Sequence, residues 1–420
     1  MDKLVIEGGR ALKGSVKVSG SKNSLLPILA ATLLTPEKCV IKNAPMLSDT
    51  RTMLRIIKNL GVSVDEDNGV IRLKSGLLKK YTAPYKLVST MRASFCVLGP
   101  LLARLNKAKV SLPGGCIIGV RPVDLHIKGI KCLGAKVDIN EGYVCAQTKK
   151  LRGNNVFLGG AFGSSVLATD NVMMAATLAK GTTIIENAAC EPEVVDLANF
   201  LVKMGAKIKG QGSPRIEIEG VKYLSGVEYE IIPDRIEAGT FAIAAALTRG
   251  EITIKNVRSD HLSALIEKLE EAGVSIKRGQ NHLIVKGNKT IKPVDVTTLP
   301  YPGFPTDMQA QFMSLMSMAD GISVITEKIY PDRFMHVAEL NRMGAQIFRQ
   351  GPYCIIHGIK ALRGAPVMAS DLRASAALAL AGLVAKGKTE IFRIYHLDRG
   401  YEKIDQKLIS LGARITREKE

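Results

Sequence analysis

The sequence predicts an α/β protein of two globular halves, each made of three copies of one βαβαββ-type unit. The first observation is a recurring glycine. Gly61, Gly134, Gly205, Gly273, Gly344 and Gly412 each end an apolar-basic run and stand 73, 71, 68, 71 and 68 residues apart. A glycine that closes an amphipathic helix is a left-handed C-cap. The alternation after each one (VSV, AKVDI, AKIKG, VSIKR, AQIFR, ARITR) reads as a strand. The second observation is another kind of helix in every unit, rich in small residues and apolar on most faces. These helices start near Ser21, Ser89, Thr169, Arg235, Pro305 and Asp371. Such segments belong in a core, and Ser, Thr or Asp near most starts supplies an N-cap. The third is a set of short β-rich runs behind them: KCVIKNAP, AKVSLPGG, TTIIENAA, EITIKNVR, ISVITEKI and KTEIFRIY.

A period near 70 residues exceeds that of the common solenoids, and six equal units divide economically into two halves of three. Buried helices at the centre with sheets outside invert the usual open α/β sheet. The stretch MDKLVIEGGRALKGSVKVSG reads as two strands before the first buried helix. The last unit stops at ARITR without a closing strand, and the N-terminal strands are expected to supply it. The expected domains are therefore residues 1–21 with 230–420, and 22–229. Two chain crossings near residues 20 and 230 then predict a cleft that closes.

Composition narrows the classes of function. The chain has 420 residues, 46 % of them hydrophobic, enough for more than one core. Its net charge of +19 suits either a nucleic-acid binder or an enzyme of strongly anionic small substrates. With no Trp, surfaces for stacking bases are scarce. Seven cysteines without a CxxC argue against a disulfide framework, and six histidines without HExxH against a metal site. No apolar run reaches about 18 residues, so no membrane span is expected. No signal peptide opens the chain, and a reducing cytoplasm is the expected location.

Several loops carry candidate chemistry. Lys22 opens a helix after Ser21, where a point charge joins free backbone donors; it reads as an anion site or as a solvated surface lysine. Arg92 and Arg373 each begin a small-residue helix, in STMRAS and SDLRAS. They read as structural ion pairs or as anion ligands, because a buried cation needs a partner. In LPGGCIIGVRPVDLHIKGI, the glycine-flanked loop 112–122 is expected to be mobile and carries Cys116. A thiol near Arg121 has a lowered pKa, as a nucleophile or acid requires; an ordinary loop thiol is the alternative. Asp124 then stands as a candidate N-cap. Asp307, after the Pro302-Gly303 turn, reads as a helix cap or a proton acceptor. Arg333 in EKIYPDRFMH and Arg399 in LDRGYEKI occupy similar passages into helices. GGAFGSS, residues 159–165, matches neither dinucleotide nor phosphate-loop patterns, but suits a close-approach turn near a diphosphate.

These motifs together resemble one family. IEGGRALKGSVKVSGSKN, LPGGCIIGVRPVDLHIKG, IIPDRIEAGT, YPGFPTDMQAQ, EKIYPDRFMHVAEL, SDLRASAAL and LDRGYEKID are similar to those of the UDP-N-acetylglucosamine 1-carboxyvinyltransferases, in the enolpyruvyl transferase family. The resemblance covers essentially the whole chain. It implies two domains, each an inside-out α/β barrel of three repeats. It implies transfer of the enolpyruvyl group of phosphoenolpyruvate to the 3′-hydroxyl of UDP-N-acetylglucosamine, with release of phosphate, at the entry to peptidoglycan synthesis. It implies no metal and no organic cofactor, and as partners the two anionic substrates, not nucleic acid or membrane.

The resemblance also implies roles. Lys22, Arg92, Arg121, Arg373 and Arg399 would hold phosphoenolpyruvate and the tetrahedral intermediate. Cys116 would protonate the methylene carbon and be the residue alkylated by fosfomycin. Asp307 would take the proton of the sugar hydroxyl. Asn23, Arg121, Pro122, Val123, Asp124, Leu125, Ser164, Val166, Ile329 and Arg333, with Asp307, would line the UDP-N-acetylglucosamine site. The rivals are a 5-enolpyruvylshikimate-3-phosphate synthase, against which the cysteine loop and RPVDLH argue, a nucleic-acid binder supported by charge alone, and an idle paralogue.

Overall fold

The computed structural model describes residues 2–114, 123–161 and 163–420. Three candidate site residues, Cys116, Arg121 and Pro122, lie outside the described residues. The described chain forms two compact units. One joins residues 2–19 to Pro233–Glu420, and the other comprises residues 20–114 and 123–232. The chain passes between them at Ser19–Gly20 and at Ile232–Pro233.

Each unit repeats one sheet three times. Strand Lys107–Ser111 runs parallel to Thr82–Ala83 and antiparallel to Tyr143–Gln147, which pairs in turn with Lys136–Asn140. All six four-stranded sheets share that order: a parallel edge strand, the central strand, the closing strand, and the strand that follows the glycine. Among the described residues no sheet closes on itself. The final repeat lacks a closing strand of its own, and Asp2–Glu7 takes the place, between Lys388–Phe392 and Arg414–Lys419.

The edge strands are exchanged at the crossings. Lys13–Lys17 precedes the first repeat in sequence, yet pairs in parallel with Glu251–Lys255 of the fourth. Glu228–Glu230 precedes the fourth, yet pairs in parallel with Lys38–Lys42 of the first. Each lead-in strand therefore stays in the unit that the chain is leaving.

The six repeat glycines all adopt positive φ, between +88° and +105°. The residue after each (Val62, Ala135, Ala206, Val274, Ala345, Ala413) donates its N–H to the carbonyl five residues back, at 2.9 to 3.4 Å. This is the double-bonded helix stop that only a left-handed residue permits, and glycine adopts it without a Cβ clash.

The small-residue helices form the two cores. In Arg235–Leu247 all thirteen residues are buried, and Asp234 caps the first turn by accepting from the Ile236 and Glu237 amides at 2.8 and 3.0 Å. Alanines and Gly239 let neighbours approach closely. A Cβ at Gly239 would lie 2.5 Å from Leu265 Cδ2. Phe241 of the same helix is fully buried, and truncating such a side chain costs about 3–5 kcal/mol.

One helix start differs from expectation. The third buried helix begins at Val166, not Thr169, because Ser165 caps it by accepting from the Ala168 amide. Thr169, Asp170 and Asn171 are buried inside it. Thr169 turns its hydroxyl back to the Ser165 carbonyl at 2.9 Å, as a residue within a helix does.

Candidate functional site

Asp307 is the centre of the polar set in the unit that carries both termini. It sits in a short 3-10 turn, Thr306–Met308, at the head of the buried helix Gln309–Met316. Its side chain caps nothing. Oδ1 accepts from Arg333 Nη1 and Oδ2 from Arg373 Nη2, each at 2.8 Å. The two arginines are buried, at 5 % and 2 % exposure, so each needs this carboxylate. Burial alone would raise the Asp307 carboxyl. The Arg373 and Arg333 guanidiniums outweigh it and hold the group well below the usual carboxylate range.

Helix geometry places Arg373, while Arg333 lies in the irregular stretch before helix His336–Arg342. Asp371 caps Leu372–Val384 by accepting from the Arg373 and Ala374 amides at 2.8 and 3.1 Å. Arg373 thus leaves the first turn of a buried helix, with its guanidinium 5.4 Å from the centre of the Tyr401 ring. Gln311 ties the arrangement together, donating to the Asp307 carbonyl at 3.0 Å and to the Tyr401 hydroxyl at 3.1 Å. Arg373 Nε has no acceptor among the described residues. Around Asp371 stand two imidazoles. Burial lowers His336 to about 4, and lowers His396, beside Arg399. Both are neutral near pH 7. Arg399 is half-buried at the end of the Ile394–Arg399 turn, and Ile329 is half-buried after the strand Ile322–Thr326.

The other unit holds a second set. Lys22 is the first residue of Lys22–Ala31, 8 % exposed, with Ser21 as the N-cap and Asn23 half-buried beside it. Lys22 Nζ lies 3.4 Å from Asp49 Oδ2, a long contact for a charge-assisted bond. Arg92 opens the Arg92–Val97 turn and is half-buried. Gly114 backs onto this region, and a Cβ there would meet the Ser89 carbonyl oxygen at 2.3 Å.

Val123 is buried and Asp124 is exposed. Asp124 is the first residue of helix Asp124–Cys132 and makes no cap bond, so its expected N-cap role is corrected. The glycine-rich turn is a hairpin, Gly159–Gly160 against Gly163–Ser164, directly before Val166. A Cβ at Gly160 would lie 3.2 Å from Leu125 Cδ1, so glycine lets the hairpin settle against Leu125. Ser164 lies in that hairpin and Val166 opens the helix that follows it.

Among the described residues no group of three or more His, Cys, Asp or Glu side chains is arranged to hold a metal ion. No helix among them is long and apolar enough to cross a membrane.

A family model described as EPSP synthase (3-phosphoshikimate 1-carboxyvinyltransferase) matches residues 6–408. The UDP-N-acetylglucosamine 1-carboxyvinyltransferase of Methylacidiphilum infernorum is 57 % identical over 417 residues, 99 % of each chain. UDP-N-acetylglucosamine 1-carboxyvinyltransferase 1 of Caldanaerobacter subterraneus is 55 % identical over 415 residues, again 99 % of each chain. This chain belongs to the UDP-N-acetylglucosamine 1-carboxyvinyltransferase family. The fold also matches the solved enolpyruvyl transferase NikO of Streptomyces tendae, with TM-score 0.90, 24 % identity and coverage of 99 % of this chain and 98 % of that one. An EPSP synthase of Acinetobacter baumannii matches with TM-score 0.80 and 18 % identity over the full length of both chains.

In this member of the carboxyvinyltransferase family, sequence reasoning missed the residues that hold the site residues. Asn171 Nδ2 donates to the Phe95 carbonyl at 3.0 Å and meets His126 Nδ1 at 3.1 Å, while its Oδ1 accepts from the Gly99 amide at 2.6 Å. His126 Nδ1 must then be the acceptor, and burial followed by Arg92 lowers this imidazole to about 3. The helix behind RPVDL is thus fastened to the turn of Arg92. Asp49, Tyr401 and Glu327 were also passed over. An acidic residue in a buried run was the available signal for Asp49 and Glu327; Tyr401 had none beyond its place in LDRGYEKI.

Proposed function

We propose that this protein transfers the enolpyruvyl group of phosphoenolpyruvate to the 3′-hydroxyl of UDP-N-acetylglucosamine and releases phosphate, the first committed step of peptidoglycan synthesis. The observation that carries the reading is Asp307 held by Arg333 and Arg373 at a buried helix head, in a chain so close to relatives of that name. Lys22, Arg92, Arg121, Arg373 and Arg399 bind the phosphate and carboxylate of phosphoenolpyruvate, where fixed cations stabilise charge as it develops. Asn23, Arg121 to Leu125, Ser164, Val166, Ile329 and Arg333 hold the sugar nucleotide.

The reaction is addition and then elimination. The sugar oxygen attacks C2, Cys116 gives its proton to C3, and Asp307 takes the hydroxyl proton. Phosphate then leaves with the Asp307 proton as C3 returns its own to the Cys116 thiolate. A carboxylate clasped by two guanidiniums is a weak base. Proton transfer to Asp307 therefore needs one guanidinium to turn toward the anionic substrate, which removes a neighbouring positive charge. The reading requires neither metal nor organic cofactor, neither nucleic acid nor membrane, and places the reaction in the cytoplasm.

Each compact unit is, in this reading, one globular domain built as an inside-out α/β barrel. Buried helices surrounded by three sheets of one topology support it. The family model's description keeps 3-phosphoshikimate in view as an alternative acceptor. Phosphate release from phosphoenolpyruvate, with and without UDP-N-acetylglucosamine, tests the proposal. Release that depends on the sugar nucleotide supports it; release that depends on 3-phosphoshikimate instead overturns it.

A further inference from the structure

Glu327 is fully buried and, among the described residues, forms no ion pair. A carboxylate in that position must be satisfied by hydrogen-bond donors, and four converge on it. Oε1 accepts from the Thr298 hydroxyl at 2.7 Å and from the Ile329 and Tyr330 amides at 2.8 and 2.9 Å. Oε2 accepts from the Thr306 hydroxyl at 2.8 Å.

Thr306 has one hydroxyl proton, and it is committed to Glu327. Its oxygen then accepts from Arg333 Nη1 at 3.0 Å, the same nitrogen that donates to Asp307 at 2.8 Å. A directed chain runs from Arg333 through Thr306 to Glu327. One carboxylate therefore fixes the residue before Asp307, the turn through Ile329 and Tyr330, and the orientation of the Arg333 fork.

We propose that Glu327 is a positioning residue for the acceptor half of the site, acting through Thr306 on Asp307 and Arg333 and directly on the backbone of Ile329. This rests on the transferase reading given above. Glu327 touches none of the reacting groups. It sets where the hydroxyl-facing carboxylate stands, and displacements near 1 Å at such a group cost on the order of 100-fold in rate. A glutamine at this position has one acceptor oxygen, and its amide nitrogen would face a donor. The Thr306 proton would then lose its acceptor or the two amides would lose theirs.

The test compares Glu327→Gln, Thr306→Val and Thr306→Ser in steady-state kinetics, with thermal unfolding in parallel. Thr306→Val and Glu327→Gln should lower kcat/KM for UDP-N-acetylglucosamine by roughly 10- to 100-fold, with the KM for phosphoenolpyruvate within about threefold of wild type. Thr306→Ser, which keeps the hydroxyl, should restore most of the rate. Equal activity of Thr306→Val and wild type overturns the proposal. So does a parallel rise of both KM values with a lowered unfolding midpoint, which is the mark of a merely structural role. A crystal structure of Thr306→Val reads the positioning claim separately from turnover. An unmoved Arg333–Asp307 pair sinks it even where wild type proves inactive with this acceptor, the result that sinks the transferase reading instead.

Discussion

Asp307 and Arg373 lie 66 residues apart in sequence, and their side chains meet at 2.8 Å. Each sits at the head of a different buried helix, so the contact is made by two helix ends packed together. With Arg333 on the other oxygen, Asp307 has a structural role beside its proposed catalytic one, and the two are separable by substitution.

Asp307→Asn keeps the shape and removes the charge. Phosphate release in the presence of UDP-N-acetylglucosamine should fall by at least about 100-fold, while calorimetry should still detect the nucleotide sugar. Asp307→Ala leaves two buried guanidiniums without their carboxylate and should lose about 3 kcal/mol in urea unfolding. The pH dependence has a definite sign. A folded-state carboxyl held below its unfolded value adds stability that is present above the unfolded pKa near 4 and disappears as pH falls through the folded one. Wild type should therefore lose stability relative to Asp307→Asn only below about pH 4.

Glu237 behaves in the opposite sense. It is buried, its Oε2 accepts from the Ser19 amide at 2.9 Å, and its Oε1 meets Lys407 Nζ at 2.5 Å. Burial raises it from 4.5 to about 7, against the downward pull of Lys407. The folded state then holds a proton that the unfolded state has released. Its stabilisation is complete below about pH 4.5 and is lost as pH rises through about 7. Relative to Glu237→Gln, wild type should lose roughly 3 kcal/mol of unfolding free energy across that window. A flat difference would show that Glu237 stays ionised throughout.

Two glycines separate backbone strain from crowding. Gly205 has φ +105° and open space where a Cβ would stand, so Gly205→Ala meets only the cost of a left-handed alanine, about 1 kcal/mol. At Gly220 a Cβ would lie 1.7 Å from the Ala179 carbonyl oxygen, which is backbone and cannot step aside. Gly220→Ala should cost several times more, read as the shift in urea midpoint at constant slope.

Cys116→Ala should abolish both fosfomycin labelling and turnover while leaving the circular dichroism spectrum and unfolding midpoint unchanged. Activity equal to wild type would remove the thiol from the proton-transfer role.

The repeat was legible because its signals are local. A helix stop needs a left-handed residue, so Gly61 and its five counterparts marked the units before any contact was known. Ser21 and Asp371 capped their helices as their side chains suggest. Asp124 and Thr169 misled, because the cap was decided by where the preceding residue left the helix, at Val123 and Ser165. Glu327 was passed over for a different reason. Its partners Thr298, Thr306, Ile329 and Tyr330 are ordinary residues, and only their convergence gives a buried acid its purpose.

Read alone, the order of residues established six units, the glycine stops of their amphipathic helices, their buried helices, and a full-length resemblance that offered candidate site residues. All of these depend on neighbours within one or two helical turns, or on motifs carried whole. Long-range packing settled the rest. It sent Lys13–Lys17 to pair with Glu251–Lys255 and Glu228–Glu230 to pair with Lys38–Lys42. It also placed Arg333 and Arg373 on one carboxylate. Hydrophobic burial brings such elements together without regard to sequence distance, and the hydrogen bonds that then become obligatory in the dry interior choose the partners.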